Sequence, residues 1–223
     1  MRILAIETAT ERLSLAVSVR GEIVERTLEA GQRHAELVLG EIDALLARAG
    51  LRLADLDGIA YGAGPGSFTG LRIACGVAQG LAAARALPVV GVGTLAAIAE
   101  AAPAVRVVAC LDARMGEVYH AAYEKQQGSL HEVISPGLHR PEAVPLPPGE
   151  HWLGCGPGFA ACRDALVRRH GARLAAVDPA IFPSAAAIAR LAAPRFAAGE
   201  GVQAAAALPV YLRDRVARKT SER

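Results

Sequence analysis

Gly62, Gly64 and Gly66 alternate around Pro65 in the run YGAGPGSF, and Ser67 follows at once. Glycines reach positive φ freely and a serine can cap the segment that follows, so the pattern describes a tight turn opening a helix. Amides at a helix start, aided by the helix dipole, hold anions such as phosphate or carboxylate. The same glycines also suit a bare strand-to-helix corner, and the residues alone leave both readings open. Three named motifs do not fit. A Walker A loop closes on Lys-Ser or Lys-Thr, and AGPGSFTG contains no lysine. A Rossmann fingerprint sits in the first strand-to-helix turn with an acid closing the next strand, and neither condition is met. A hydrolase elbow reads Gly-x-Ser-x-Gly, whereas Ser67 directly follows Gly66.

Metal and nucleophile chemistry find as little support. His34, His120, His131, His139, His151 and His170 form no i,i+4 pair and no H-E-x-x-H element, so neither a metalloprotease nor a metallotransferase is indicated. Cys75, Cys110, Cys155 and Cys162 show no C-x-x-C pairing and have mostly apolar neighbours, as reduced, buried thiols do. No nucleophile-base pair supports a peptidase. The expectation is therefore no catalytic residue and no metal site.

The elements that must carry these residues come from a chain of 223 residues, 52% hydrophobic and 21% charged, with a formal net charge of +2. That length supports two small lobes, and that charge gives no general bias toward nucleic acid or membrane. Aromatic content of 4% is too low for a base-stacking surface, so any RNA contact is local or indirect. The N-terminus meets Glu7 before a long apolar stretch develops, which does not fit a signal peptide, and Arg85 and Pro88 interrupt the apolar runs, so no membrane span is expected. A cytoplasmic protein is expected.

Alternation and turn residues predict strands over Arg2–Ala9, Arg12–Arg20 and Glu22–Ala30, followed by an amphipathic helix from Gln32 to Ala49. A strand over Asp57–Gly62, a helix over Ser67–Leu87, a strand over Pro88–Val92 and a helix near Thr94 complete the first half. VRVVACLDA, GEVYHAAYE and LHEVIS then give three strands. After a Pro-rich loop (141–148) come a strand at HWLGCG, a helix over Pro157–His170, a strand at ARLAAVD and a helix over Ser184–Ala198. The order repeats as two β-β-β-α-β-α units with a cleft between them. The expected lobes are residues 1–103 and 104–212, followed by a basic tail (213–223).

ILAIETATERLSLAV, YGAGPGSFTGLRIACGVAQGLA, LDARMGEVY and LPVYLRD, spread in order over nearly the whole chain, resemble the TsaB (YeaZ) family. The resemblance implies an α/β, duplicated actin-like/Hsp70-like (ribonuclease H-like) fold. It also implies an accessory subunit without catalysis of its own, which binds and activates the related protein TsaD. With TsaE in a ternary complex, TsaD transfers a threonylcarbamoyl group to the adenosine beside the anticodon of tRNA, so tRNA would be met indirectly. A homodimer is implied when the chain is isolated. TsaD proteins carry two iron-binding histidines one helical turn apart; Thr94 and Ile98 stand at those places here and cannot replace two imidazoles.

In the superfamily, the turn between the first two strands of each half touches nucleotide phosphates. That implies vestigial phosphate contacts at Thr8, Thr10, Gly64, Gly66, Ser67 and Asp112, with no cofactor beyond weak or shared ATP/ADP binding. The family more often has Asp where Glu7 stands, and the longer side chain would displace an ion or water there. Asp112 reads better as a strand-end residue bracing Arg114 or capping a turn. The family pairs its first two helices with those of TsaD, which points to Val38, Ile42, Leu45, Arg72, Gly76 and Gly80 as the partner interface. Gly76, Gly80 and Ala84 fall at i,i+4 spacing; the stripe fits a partner's backbone or this protein's own sheet. The alternative function is an ATP-dependent phosphotransferase or other nucleotide-binding protein of the superfamily.

Overall fold

Each half of the chain builds a five-stranded mixed sheet with the same strand order. In the computed structural model, which describes residues 1–213, β1 (Arg2–Glu7), β2 (Arg12–Val19), β3 (Glu22–Glu29), β4 (Gly58–Gly64) and β5 (Val89–Gly93) form the first sheet. Its order is β3-β2-β1-β4-β5, antiparallel across β3-β2-β1 and parallel across β1-β4-β5. The second sheet contains β6 (Arg106–Asp112), β7 (Val118–Gln126), β8 (Ser129–His139), β9 (Trp152–Cys155) and β10 (Leu174–Asp178). Read as β8-β7-β6-β9-β10, it repeats both the order and the strand directions. The duplication expected from element order is thus written into the hydrogen-bond ladders.

The central strands are apolar because helices cover both faces. Every residue of β4 is buried, as are Ile3 to Glu7 of β1. One face of the first sheet meets α1 (His34–Arg48) and α2 (Phe68–Ala83), whose Val38, Ile42, Leu45, Ala74 and Ala78 enter its core. The other face, carrying Ile3, Ala5, Val90 and Val92, is covered by α6 (Ala185–Ala197) from the far end of the chain. Conversely, α3 (Thr94–Ala101) closes the first half in sequence but sends Leu95, Ile98 and Ala99 into the core of the second sheet. Each half's third helix therefore packs on the other half's sheet. The division near residue 103 separates the two sheets without separating the two cores. The second sheet's remaining face meets α4 (Pro157–Ala161) and α5 (Arg163–His170), around Trp152, Phe159 and Leu166.

Three expected boundaries move for local reasons. The helix over Pro157–His170 breaks into α4 and α5 because Cys162 leaves helical geometry (φ −132, ψ 36). The helix opened by Ser67 stops at Ala83 instead of Leu87: Ala86 turns to φ 51, and the Leu87 amide donates back to the Ala82 carbonyl at 3.0 Å, a closing pattern of helix C-termini. Third, β8 runs to His139 through Pro136, paired with β7 across two register shifts. Beyond Arg213 itself, the basic tail lies outside the described residues.

Candidate functional site

Between the lobes lies a cleft of about 1120 Å³, lined from the first half by Thr10, Glu11, Gly66, Ser67 and Thr69 and from the second by Asp112 and Arg114, with Arg213 at its edge. The turn after β1 and the glycine turn before α2 meet on its first wall, and they bind each other. The Ser67 amide donates to the Ala9 carbonyl at 2.8 Å, while Ser67 Oγ caps α2 by accepting from the Gly70 amide at 3.3 Å. Thr8, fully buried, donates its hydroxyl to the Gly70 carbonyl at 2.7 Å. A side chain at Gly70 would overlap the Thr8 carbonyl, so this glycine is required by close backbone approach. Gly64 is held by a close approach too, since a Cβ there would sit 2.5 Å from the Val210 carbonyl oxygen, and in addition by its positive φ of 119. Of the six residues expected at phosphate contacts, Thr10, Gly66, Ser67 and Asp112 line the cleft, whereas Thr8 and Gly64 face the interior. Amides that an anion would need at Ser67 and Gly70 already have protein acceptors.

Glu7 is turned the same way. Its side chain is 1% exposed, Oε1 accepts from the Ala9 amide at 2.5 Å, and Oε2 has no partner. The carboxyl lies against Gly62 on the neighbouring strand, where any Cβ would collide with it. Burial pushes its pKa up to about 7, against the lowering effect of the Ala9 amide. A group held this way sits beneath the cleft and presents no carboxylate to an ion within it.

On the opposite wall, Asp112 accepts from the Arg114 amide at 2.7 Å and from its guanidinium at 3.1 Å, so it both caps the turn and braces Arg114. Arg114, Met115 and Gly116 all take left-handed φ (62, 57 and 74). Arg213 secures this strained turn, pairing with Glu117 at 2.7 Å and donating to the Ala113 carbonyl at 3.0 Å. The hydroxyls of Thr10, Ser67 and Thr69 and the exposed Arg114 could hold an anion. Among the described residues, no group of three or more His, Cys, Asp or Glu is arranged to hold a metal ion.

A second surface lies outside the cleft on α1 and α2. Gly76 and Gly80 are exposed and nothing lies within 4 Å of where their Cβ atoms would stand, so the glycine stripe does not pack on this protein's own sheet. Arg72 lies over the Phe68 ring at 3.4 Å from its centroid, and Phe68 in turn packs against Tyr211. The segment around Tyr211 is fastened along α2 and β4: Ala207 O accepts from Gln79 Nε2 at 2.7 Å, Tyr61 donates to Leu208 O at 2.9 Å, and the Val210 amide donates to Ala63 O at 2.7 Å. Leu39, Phe68, Leu208, Val210 and Tyr211 remain exposed. Val38, Ile42 and Leu45, expected at a partner interface, are instead at most 2% exposed and belong to the first core. The correction follows from helix geometry, since the apolar period that marks a helix marks its inward face. The outward face of α1 carries Ala35, Leu39, Gly40, Ala44 and Ala47.

Arg213 and the exposed partner of Asp112 were within quoted motifs, LPVYLRD and LDARMGEVY, but nothing in their spacing announces that they meet at one turn. His120 and His170 also come together, 50 residues apart in sequence. Both are fully buried with Nε2 atoms 3.4 Å apart, and His170 Nδ1 contacts the Leu166 carbonyl at 2.9 Å. The four cysteines are free thiols, three buried and Cys162 half-buried.

Two sheets of one order, each exchanging a helix with the other and flanking a shared cleft, define a duplicated actin-like (ribonuclease H-like) α/β protein. A family profile described as TsaD, tRNA N6-adenosine threonylcarbamoyltransferase, matches residues 27–218. The tRNA threonylcarbamoyladenosine biosynthesis protein TsaB of Escherichia coli strain K12 is 39% identical over 98% of this chain and 97% of its own length. The protein of the same name from Haemophilus influenzae is 35% identical over 97% and 95%. The solved structure of YeaZ from Pseudomonas aeruginosa superposes with a TM-score of 0.88 at 41% identity, covering 95% of this chain and 99% of that one. The chain belongs to the TsaB (YeaZ) family.

Proposed function

We propose that this protein serves in threonylcarbamoyladenosine synthesis on tRNA as a subunit without a reaction centre of its own, binding and activating a TsaD-type transferase. The observation that carries this reading is the exposed stripe on α2. Gly76 and Gly80 each cost a helix about 1 kcal/mol relative to alanine, and among the described residues neither has a neighbour within 4 Å of where its Cβ would stand. A partner's helix approaching closely would use the space they leave. The names of the relatives support the pathway, and the TsaD-type profile over most of the chain supports a pairing between like folds. The partner face consists of the outward residues of α1, with Arg72, Gly76 and Gly80 of α2. A second copy of the chain would occupy the same face in the isolated protein.

Catalysis and metal would then reside in TsaD, with TsaE joining the pair and tRNA meeting this chain indirectly. Any ATP/ADP binding in the cleft would be weak or shared, a reading supported by the burial of Glu7 and by the protein acceptors that the Ser67 and Gly70 amides already have. The setting is cytoplasmic; no helix among the described residues is long and apolar enough to cross a membrane.

Reconstitution tests the reading. TsaD, TsaE and the enzyme that forms threonylcarbamoyl-adenylate should modify tRNA only when this protein is added, and this protein alone should transfer nothing. Equal modification in its absence would remove the accessory role. Tight ATP binding with turnover by the isolated chain, measured by calorimetry, would favour the phosphotransferase instead.

A further inference from the structure

Away from the cleft and the α1–α2 face, a groove of about 540 Å³ runs between α5 and β10. Arg163, Asp164, Val167 and Arg168 from one face of α5, with Gly171 just past its end, line one side. Leu174, Ala175, Ala176 and Val177 line the other. The β10–β9 register shifts between Leu174 and Ala176, so β10 offers a regular edge over residues 176–178. Among the described residues the outer edge of β10 is free: β10 pairs with β9 alone and ends the second sheet. Edge strands direct alternate amides and carbonyls outward, ready for another strand.

The charge of the groove selects among strands. Arg163 and Arg168 are exposed, and neither forms an ion pair among the described residues, nor does the nearby Arg173. Arg168 sits in the last turn of α5, where the dipole welcomes a cation, but Arg163 is the first residue of that helix, where it does not. Val167 between them is 38% exposed, and no aromatic side chain lines the groove. Arg163 and Arg168 outnumber Asp164, the one carboxylate in the lining, and an apolar strip flanked by them beside an open strand edge matches an extended peptide better than an RNA, which would stack its bases.

We propose that β10 and α5 form a docking groove for an extended acidic peptide segment of another protein, which adds a sixth strand to the second sheet beside β10. Its acidic side chains meet Arg163 and Arg168, and an apolar one rests on Val167. The proposal is independent of the function proposed above. Selection of a phage library of random twelve-residue peptides on the folded protein tests it, with enriched peptides measured by fluorescence anisotropy. We expect enrichment of Asp- and Glu-containing sequences, at least tenfold weaker binding to the Arg163→Glu/Arg168→Glu variant, and loss of binding on backbone N-methylation of the peptide. Both arginines are exposed, so circular dichroism should be unchanged in the variant. Failure to enrich any peptide, enrichment of sequences without acids, equal binding to the double variant, or indifference to N-methylation would each overturn the proposal. So would saturable binding of a poly-uridine oligonucleotide to this groove in place of peptide.

Discussion

Glu7 holds its proton more tightly folded than unfolded, because burial raises its pKa from 4.5 to about 7. The stabilisation this gives is complete below pH 4.5, declines as pH rises, and is gone above about 7. Glu7→Gln, which imitates the protonated acid, should therefore melt higher than the parent at pH 8 and nearly level with it at pH 5, as thermal unfolding would show. An equal offset at both pH values would contradict a proton-linked Glu7. The buried histidines act in the opposite sense. Desolvation lowers the pKa of His120 to about 3 and that of His170 below its usual value, so the fold loses stability as pH falls below 6.5. With His170 Nδ1–H donating to Leu166, its Nε2 must accept from His120, which leaves His120 Nδ1 without a partner. His120→Leu should flatten the acid limb of a stability-against-pH curve, and an unchanged limb would sink this account. Glu7 and the histidines are plain in the sequence, but their burial is not. It depends on Gly62 across a parallel strand pair and on a contact spanning 50 residues, which no local pattern encodes.

Helices show which side of an element a sequence can assign. The spacing of Val38, Ile42 and Leu45 defined α1 correctly and defined its inner face with it, so these residues were never free for a partner. Ile42→Ala should cost roughly 2–5 kcal/mol of stability, the range for deleting a buried aliphatic, read from urea unfolding. Gly80→Trp should behave in the opposite way. Its side chain would enter open space, so folding should persist while association with TsaD, or with a second copy, falls by tenfold or more in analytical ultracentrifugation. Loss of folding instead would return the stripe to internal packing. The stripe itself was legible at i,i+4 spacing. Its direction was not, because helical spacing alone does not say which neighbours a row of glycines lacks.

For the molecule as a whole, the repeated β-β-β-α-β-α order was readable because each turn and period is local. The exchange of α3 and α6 was hidden, since an apolar helix face fits either sheet. A fragment of residues 1–103 should fail to fold alone, because it would leave Ile3, Ala5, Val90 and Val92 uncovered. Co-expression with residues 104–223 should restore a folded complex, and a monomeric, cooperatively melting 1–103 fragment would contradict this.

The crossing of α6 also bears on synthesis. A growing chain contains all five strands of its first sheet by Gly93, yet the helix that shields one face of that sheet from water ends at Ala197. Throughout the making of the second half, the nascent protein must carry an exposed apolar surface. The ribosome-bound chain is thus a natural client for a chaperone, and its last stretch of translation decides whether the first half becomes native.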